Sequence, residues 1–192
     1  MEKTLVRITT VPMAFKALLT GQPRFMRSKG FNVILMSADG REREDVIKAE
    51  GCPYIVVPMT RKITPLQDLK SFFNLRKLLK QYKPDIVHTH TPKAGLLGMM
   101  AARSLGIKAR IHTVAGLLLM VETGFKRKLL LFTEKLTYRF ATEVWPNSFS
   151  MRDFILEHQL ATPSKLKVMN HGSTNGVDLS LFSRGNINEN TL

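Results

Sequence analysis

Short apolar runs alternate with segments whose apolar residues recur at helical spacing along almost the whole chain, which is the pattern of βαβ units and a parallel sheet. Leu5 to Val11 reads as a first strand and Met13 to Lys29 as a helix stopped by Gly30. Phe31 to Ser37 reads as a second strand, Arg41 to Glu50 as a helix ended by Gly51, and Tyr54 to Val57 as a third strand closed by Pro58. Pro65 opens a helix in which Leu66, Leu69, Phe72, Phe73, Leu79 and Tyr82 fall at helical spacing. Strand Asp85 to Thr89, helix Lys93 to Leu105, strand Ala109 to Val114 and a long helix Phe125 to Ala141 follow. Strand Glu143 to Trp145, helix Ser150 to Gln159 and strand Lys165 to Met169 complete the series. About seven strands with no hairpin signal between neighbours predict an α/β fold. Its form is a doubly wound, mostly parallel Rossmann-like sheet with helices on both faces and ligands beyond the carboxyl ends of the strands.

The length of 192 residues and a hydrophobic content of 44% suit one domain, assigned to residues 1–176. From Gly172 onward the composition turns to Gly, Ser, Asn and Asp, so 177–192 is read as the start of a linker to a further domain. A single cysteine, Cys52, excludes a disulfide framework, and no signal-peptide pattern opens the sequence. No apolar stretch approaches the roughly 18 residues of a spanning helix. The compartment expected is therefore the cytoplasm.

Charge sharpens the picture. The net charge is +14, and residues 61–115 alone carry 11 basic against 2 acidic side chains. Such a polarised field suits an anionic partner: a phospholipid surface, a diphosphate-bearing substrate or nucleic acid. A soluble surface with a high isoelectric point accounts for it equally well.

The turn after the first strand, Thr9-Thr10-Val11-Pro12-Met13, lacks the glycines that let a backbone approach a pyrophosphate, which argues against a nicotinamide or flavin enzyme. Asp39-Gly40 is a turn pair rather than a ribose site, and no P-loop pattern occurs. The segment Pro84-Asp-Ile-Val-His-Thr-His-Thr-Pro-Lys-Ala-Gly is the most informative. Strand alternation puts Ile86, His88 and His90 on one face, with His90 at the carboxyl end. His88 reads as a hydrogen-bonded core histidine, and His90 divides evenly between core and cleft. As metal ligands the two lack a third and fourth partner at usable spacing, and no metal is expected. Lys93 and the amides at the start of the next helix would make an anion site. One strand later His112, Thr113 and Gly116 repeat the arrangement, and the strand ending at Trp145 brings Asn147 and Ser148 to the same rim. No carboxylate pair and no nucleophile beside a base stands there, so this rim alone assembles no acid-base machinery.

On a wheel of about 100° per residue, Phe125, Leu129, Phe132, Leu136 and Phe140 form a stripe read as the core face of the long helix. Arg127, Lys128, Leu131, Lys135 and Tyr138 gather on another side. Cations mixed with exposed apolar groups are what an interfacial helix uses among lipid headgroups. An ordinary solvated face remains the competing account. The helix carrying Lys70, Arg76, Lys77, Lys80 and Lys83 would extend the same surface.

His88-Thr-His-Thr-Pro-Lys-Ala-Gly, His112-Thr-Val-Ala-Gly, Glu134-Lys-Leu-Thr-Tyr, Pro146-Asn-Ser and Gly172-Ser-Thr-Asn-Gly-Val-Asp resemble, in order, the N-terminal half of glycosyltransferase family 4 enzymes of capsule, O-antigen and exopolysaccharide assembly. The resemblance implies one half of a GT-B architecture, with the acceptor on this domain and a nucleotide-sugar, expected as a UDP-sugar, on the C-terminal domain. It also implies a retaining, metal-independent transfer to an undecaprenyl-diphosphate-linked acceptor, and peripheral attachment to the inner face of the plasma membrane. Many relatives carry a histidine where this chain has Ala115, so that residue's role does not carry over. With the donor domain absent, the chain is expected to be inactive alone. A GT-B-fold sugar-nucleotide epimerase is the second reading. A nucleic-acid-binding module is the third, disfavoured because the basic segments show no helix-turn-helix, zinc or aromatic-interleaved pattern.

Overall fold

The computed structural model describes residues 2–117, 119, 121–173, 175 and 176. Among them, six parallel strands form one sheet in the order β3-β2-β1-β4-β5-β6. The strands are β1 (Lys3–Ile8), β2 (Phe31–Ser37), β3 (Tyr54–Val56), β4 (Ile86–Thr89), β5 (Ala109–Val114) and β6 (Glu143–Pro146). The helices are α1 (Pro12–Leu18), α2 (Gln22–Ser28), α3 (Arg43–Glu50), α4 (Pro65–Tyr82), α5 (Pro92–Ser104), α6 (Gly124–Phe140) and α7 (Phe149–Glu157). The order reverses between β1 and β4, the switch point at which a doubly wound sheet opens a crevice.

Two expectations on element bounds fail for local reasons. The helix expected over Met13 to Lys29 is two, because Gly21 adopts φ +78° and Pro23 starts a new helix where it needs no amide donor. The strand expected at Lys165 to Met169 is reduced to one bridge between Val144 and Leu166, preceded by a 3-10 turn over Pro163–Lys165. The segment 177–192, expected to begin a linker, lies outside the described residues.

Strand alternation sorts the core into two clusters. Val6, Ile8, Ile34, Met36, Val87, Val114 and Val144 point to the face covered by α4, α5 and α6. Leu5, Val33 and Leu35 point to the other, under Phe15, Leu19 and Val46 from the first three helices. Along β4 the alternation puts Val87 and Thr89 on the first face and Ile86, His88 and His90 on the second.

Helix α5 sits very close to the sheet. A Cβ on Gly95 would stand 2.5 Å from His112 Cε1 and 3.1 Å from Thr137 Cγ2, and one on Gly98 would stand 2.8 Å from Thr89 Cγ2. The His112 ring cannot swing aside, since Thr89 Oγ1 holds its Nδ1 at 2.7 Å and Tyr138 packs on it at 5.9 Å. Gly95→Ala is therefore expected to destabilise the fold by about 1–3 kcal/mol despite alanine's better helix propensity. Urea unfolding checks this, with an unchanged or higher midpoint as the contrary result.

Candidate functional site: the switch point and the open sheet face

The crevice between β1 and β4 is closed at its top by threonines. The Thr10 amide donates to Thr91 Oγ1 at 2.9 Å, the two hydroxyls lie 2.7 Å apart, and Thr10 Oγ1 accepts from the Ala94 amide at 3.3 Å. A residue of the first loop thus satisfies an orphan donor of α5, the work of a cap done from outside the helix. Lys93 is committed as well: its Nζ pairs with Asp68 at 2.6 Å and also reaches the Lys62 carbonyl and Thr64. The anion site expected from Lys93 and the free amides of this helix is therefore not available as read from the sequence.

The other expected rim residues separate. His112 points beneath α5, on the opposite face from His88 and His90, because β5 is in register with β4 so that Thr89 faces His112 and His88 faces Ile111. Thr113 returns to the open face, where its hydroxyl shares a 2.8 Å hydrogen bond with His88 Nε2. Gly116 is exposed, and a Cβ there would meet nothing, so no close approach explains the glycine. Asn147 Nδ2 donates to the Ala115 carbonyl at 3.0 Å, and Ser148 caps α7 by accepting from the Met151 amide at 3.1 Å. Ser148 has a structural use at that position, while Asn147 borders a cavity.

That cavity, about 440 Å³, lies on the sheet face that the first three helices leave partly uncovered. Arg7, His88, His90, Thr113 and Trp145 rise into it from four strands, and Gln22 of α2 and Asn175 border it. The His88 and His90 rings lie 4.0 Å apart, and Trp145 meets His88 edge to face at 5.1 Å. Gly172 lets the chain fold back over this region: at φ +94° a Cβ would stand 2.6 Å from the Asn147 carbonyl oxygen. The Ser173 amide bonds that same oxygen, and Asn175 Oδ1 accepts from Gln22 Nε2 at 2.7 Å. Sequence reasoning missed Arg7 and Gln22. The available signal was a lone cation inside the apolar run Leu5-Val6-Arg7-Ile8. No group of three or more His, Cys, Asp or Glu side chains converges to hold a metal among the described residues.

The long helix departs from the expectation at several positions, while Lys128 and Lys135 are exposed as expected and Phe140 packs against the core. Tyr138, expected at a membrane surface, is 0% exposed, and Leu131 packs half-buried against the core. Arg127 turns toward α7 and bonds His158 Nε2 at 3.0 Å. The inward side is Leu130, Glu134, Thr137 and Tyr138, since short Thr137 suits the close approach of Gly95 and Tyr138 packs on His112. The outward side carries Phe125 and Phe132, 82% and 63% exposed, with Lys128, Lys135 and Arg139. On α4, Leu66, Leu69 and Phe73 are exposed beside Lys70, Lys77 and Lys80.

Residues 24–172 match the family described as Glycosyl transferase 4-like domain. The chain belongs to this family. Among curated relatives of this glycosyl transferase 4-like domain, the capsular polysaccharide biosynthesis glycosyltransferase CapM of Staphylococcus aureus is 37% identical over 169 residues, covering 88% of this chain and 44% of that protein. An Escherichia coli UDP-Gal:alpha-D-GlcNAc-diphosphoundecaprenol alpha-1,3-galactosyltransferase is 28% identical over 207 residues, spanning all of this chain and 52% of the relative. The chain thus spans about half the length of the relatives it matches. The same fold occurs in a glycosyltransferase of Rickettsia africae, at TM-score 0.69 and 17% identity over 99% of this chain and 47% of that one. It occurs too in a UDP-GlcNAc 2-epimerase of Neisseria meningitidis, at TM-score 0.62 and 18% identity over 88% and 47%. The fold is common to transferases and epimerases alike.

Buried titratable groups set opposing pH dependences. Burial, with Arg7 and neighbouring histidines nearby, holds His88 and His90 well below the usual imidazole value of 6.5, and burial lowers His112 to about 4. Each contributes stability that is present above pH 6.5 and lost as pH falls below it, because the unfolded chain then binds the proton more readily. Burial raises Glu134 from 4.5 to about 7, so its contribution is present below pH 4.5 and lost as pH rises toward 7. The fold is expected to weaken on acidification from about pH 6.5 to about pH 4.5. In Glu134→Gln that loss should deepen by on the order of 2–3 kcal/mol, because the opposing contribution is gone. Urea midpoints at the two pH values measure it; equal pH slopes in the two proteins would contradict the assignment.

Proposed function

We propose that this chain is the acceptor-side half of a sugar-nucleotide-dependent glycosyltransferase that extends a lipid-linked, undecaprenyl-diphosphate type of acceptor in cell-surface polysaccharide synthesis. The observation that carries the reading is the 37% identity to a capsule glycosyltransferase over 88% of the chain. Relatives named for diphosphoundecaprenol acceptors, in Escherichia coli and Campylobacter jejuni, support the acceptor class. The epimerase reading shares the fold, but the curated sequence relatives are named as glycosyltransferases. In the proposed arrangement His90, Thr113 and Asn147 border the acceptor side of a cleft. A second domain outside this sequence holds the UDP-sugar donor.

Peripheral attachment to the inner face of the plasma membrane belongs to the same proposal, and the outer surface of the α4–α6 layer supports it. Phe125, Phe132, Leu66 and Phe73 offer apolar area that water does not reward, and the neighbouring lysines are attracted to anionic headgroups. No helix among the described residues is long and apolar enough to cross a membrane, so this contact is peripheral in the proposal.

Two measurements test these readings. Incubated with UDP-sugars and an undecaprenyl-diphosphate glycan, the 192-residue chain is expected to show no transfer; substantial turnover would refute the claim that it is half an enzyme. In co-sedimentation with phosphatidylglycerol-containing vesicles, the chain is expected to bind and to release as salt rises from about 0.1 to about 1 M. The double variant Phe125→Ser/Phe132→Ser should bind at least about tenfold more weakly, since each inserted ring contributes roughly 1.5–3 kcal/mol. Equal binding by variant and parent would remove α6 from the contact.

A further inference from the structure

Helices α6 and α7 leave a gap between them where α6 ends. Gln159 adopts a left-handed backbone at φ 51° and turns the chain out of α7. Lys165 then ties the returning segment to α6, its Nζ donating to the carbonyls of Tyr138, Arg139 and Ala141 at 3.0, 3.1 and 2.8 Å. The result is a depression of about 510 Å³, with Leu156, Leu160, Ala161 and Pro163 as an apolar floor and Lys135, Arg139 and Gln159 at its edge. That volume lies within the roughly 300–1,000 Å³ of small-molecule sites.

Floor and edge have opposite chemistry. Lys135, Arg139 and Gln159 are exposed to solvent, and among the described residues none of the three side chains has a hydrogen bond or ion pair. Lys135 and Arg139 stand four residues apart on α6, where like charges repel. The carbonyl end of α6 does not account for these cations, because Lys165 and Arg110 already serve it, Arg110 Nε donating to the Phe140 carbonyl at 2.7 Å. No acidic side chain lines the depression, and Leu156 and Ala161 are only half-buried. Unpaired cations over uncovered apolar surface fit a molecule with an anionic head and an apolar tail. Lys135 and Arg139 also belong to the outward stripe of α6, in which Lys128, Phe132, Lys135 and Arg139 follow at helical spacing. The depression is therefore continuous with the surface proposed to meet the bilayer.

We propose that the depression between α6 and α7 is a binding site for an anionic phospholipid. Lys135 and Arg139 hold the phosphate, Gln159 donates to a glycerol or ester oxygen, and the acyl chain covers Leu156, Leu160 and Ala161. The proposal rests on the membrane contact described under the proposed function for the source of the lipid.

Lipid below its micelle-forming concentration separates this site from adsorption to a bilayer. In the chain labelled with 13C at its leucine and alanine methyl groups, dihexanoyl phosphatidylglycerol, dihexanoyl phosphatidylcholine and orthophosphate are titrated separately at equal ionic strength. Phosphatidylglycerol is expected to move the Leu156, Leu160 and Ala161 signals saturably, and to bind at least about tenfold more tightly than phosphatidylcholine. Ala14 of α1, on the other side of the sheet, should stay in place. Lys135→Gln/Arg139→Gln should weaken the response at least about tenfold. An unchanged Ala14 signal reports that the variant is folded. Absence of a saturable shift with phosphatidylglycerol, equal affinity for phosphatidylcholine or for orthophosphate, or an equal response in the double variant would overturn the proposal. Saturable shifts without vesicle co-sedimentation would keep this site and strike the bilayer contact, and co-sedimentation without the shifts would do the reverse.

Discussion

Helix α5 approaches the sheet so closely that Gly95 and Gly98 have no room for a side chain, and much of the molecule is arranged around that contact. Gly95 rests on the His112 ring and Gly98 on Thr89. Because β4 and β5 are in parallel register, seating His112 beneath the helix sends Thr113 to the other face, where it meets His88. The same approach selects the inward side of α6, since Thr137 must be short where it faces Gly95, and Tyr138 covers the rest of His112.

From this packing follows an asymmetry between the two sheet faces. One is sealed by α4, α5 and α6 over an apolar core. The other is sealed over β2 and part of β1 but left hollow beside β4, β5 and β6, and the hollow collects the polar groups of those strands. The sealed face can bury Glu134 and His112 only by shifting their proton affinities in opposite directions. The hollow face keeps Arg7 charged and only partly bonded.

The outer surface of the helical layer has a separate logic. Once α6 turns Glu134 and Thr137 inward, Phe125 and Phe132 must face out, a loss of apolar burial that a monomer in water would not favour. Paired with the exposed lysines of α4 and α6, those rings form a surface whose proposed counterpart is an anionic bilayer.

Much was legible in the sequence. The alternation of apolar runs with helical stretches determined the α/β class, the six strand-to-helix successions and the common face of Ile86, His88 and His90, because period-two and period-3.6 patterns are local properties. The ordered motifs from His88 to Gly172 determined the family. Tertiary structure alone decided which side of α6 is buried, since hydropathy favoured the phenylalanine stripe and close helix packing favoured the threonine side. It alone decided that Lys93 pairs with Asp68 rather than waiting for an anion, and that His112 and His90 lie on opposite faces. Strand register and helix approach join residues tens of positions apart, 81 in the pairing of Leu5 with Ile86, and no local pattern encodes a contact of that kind.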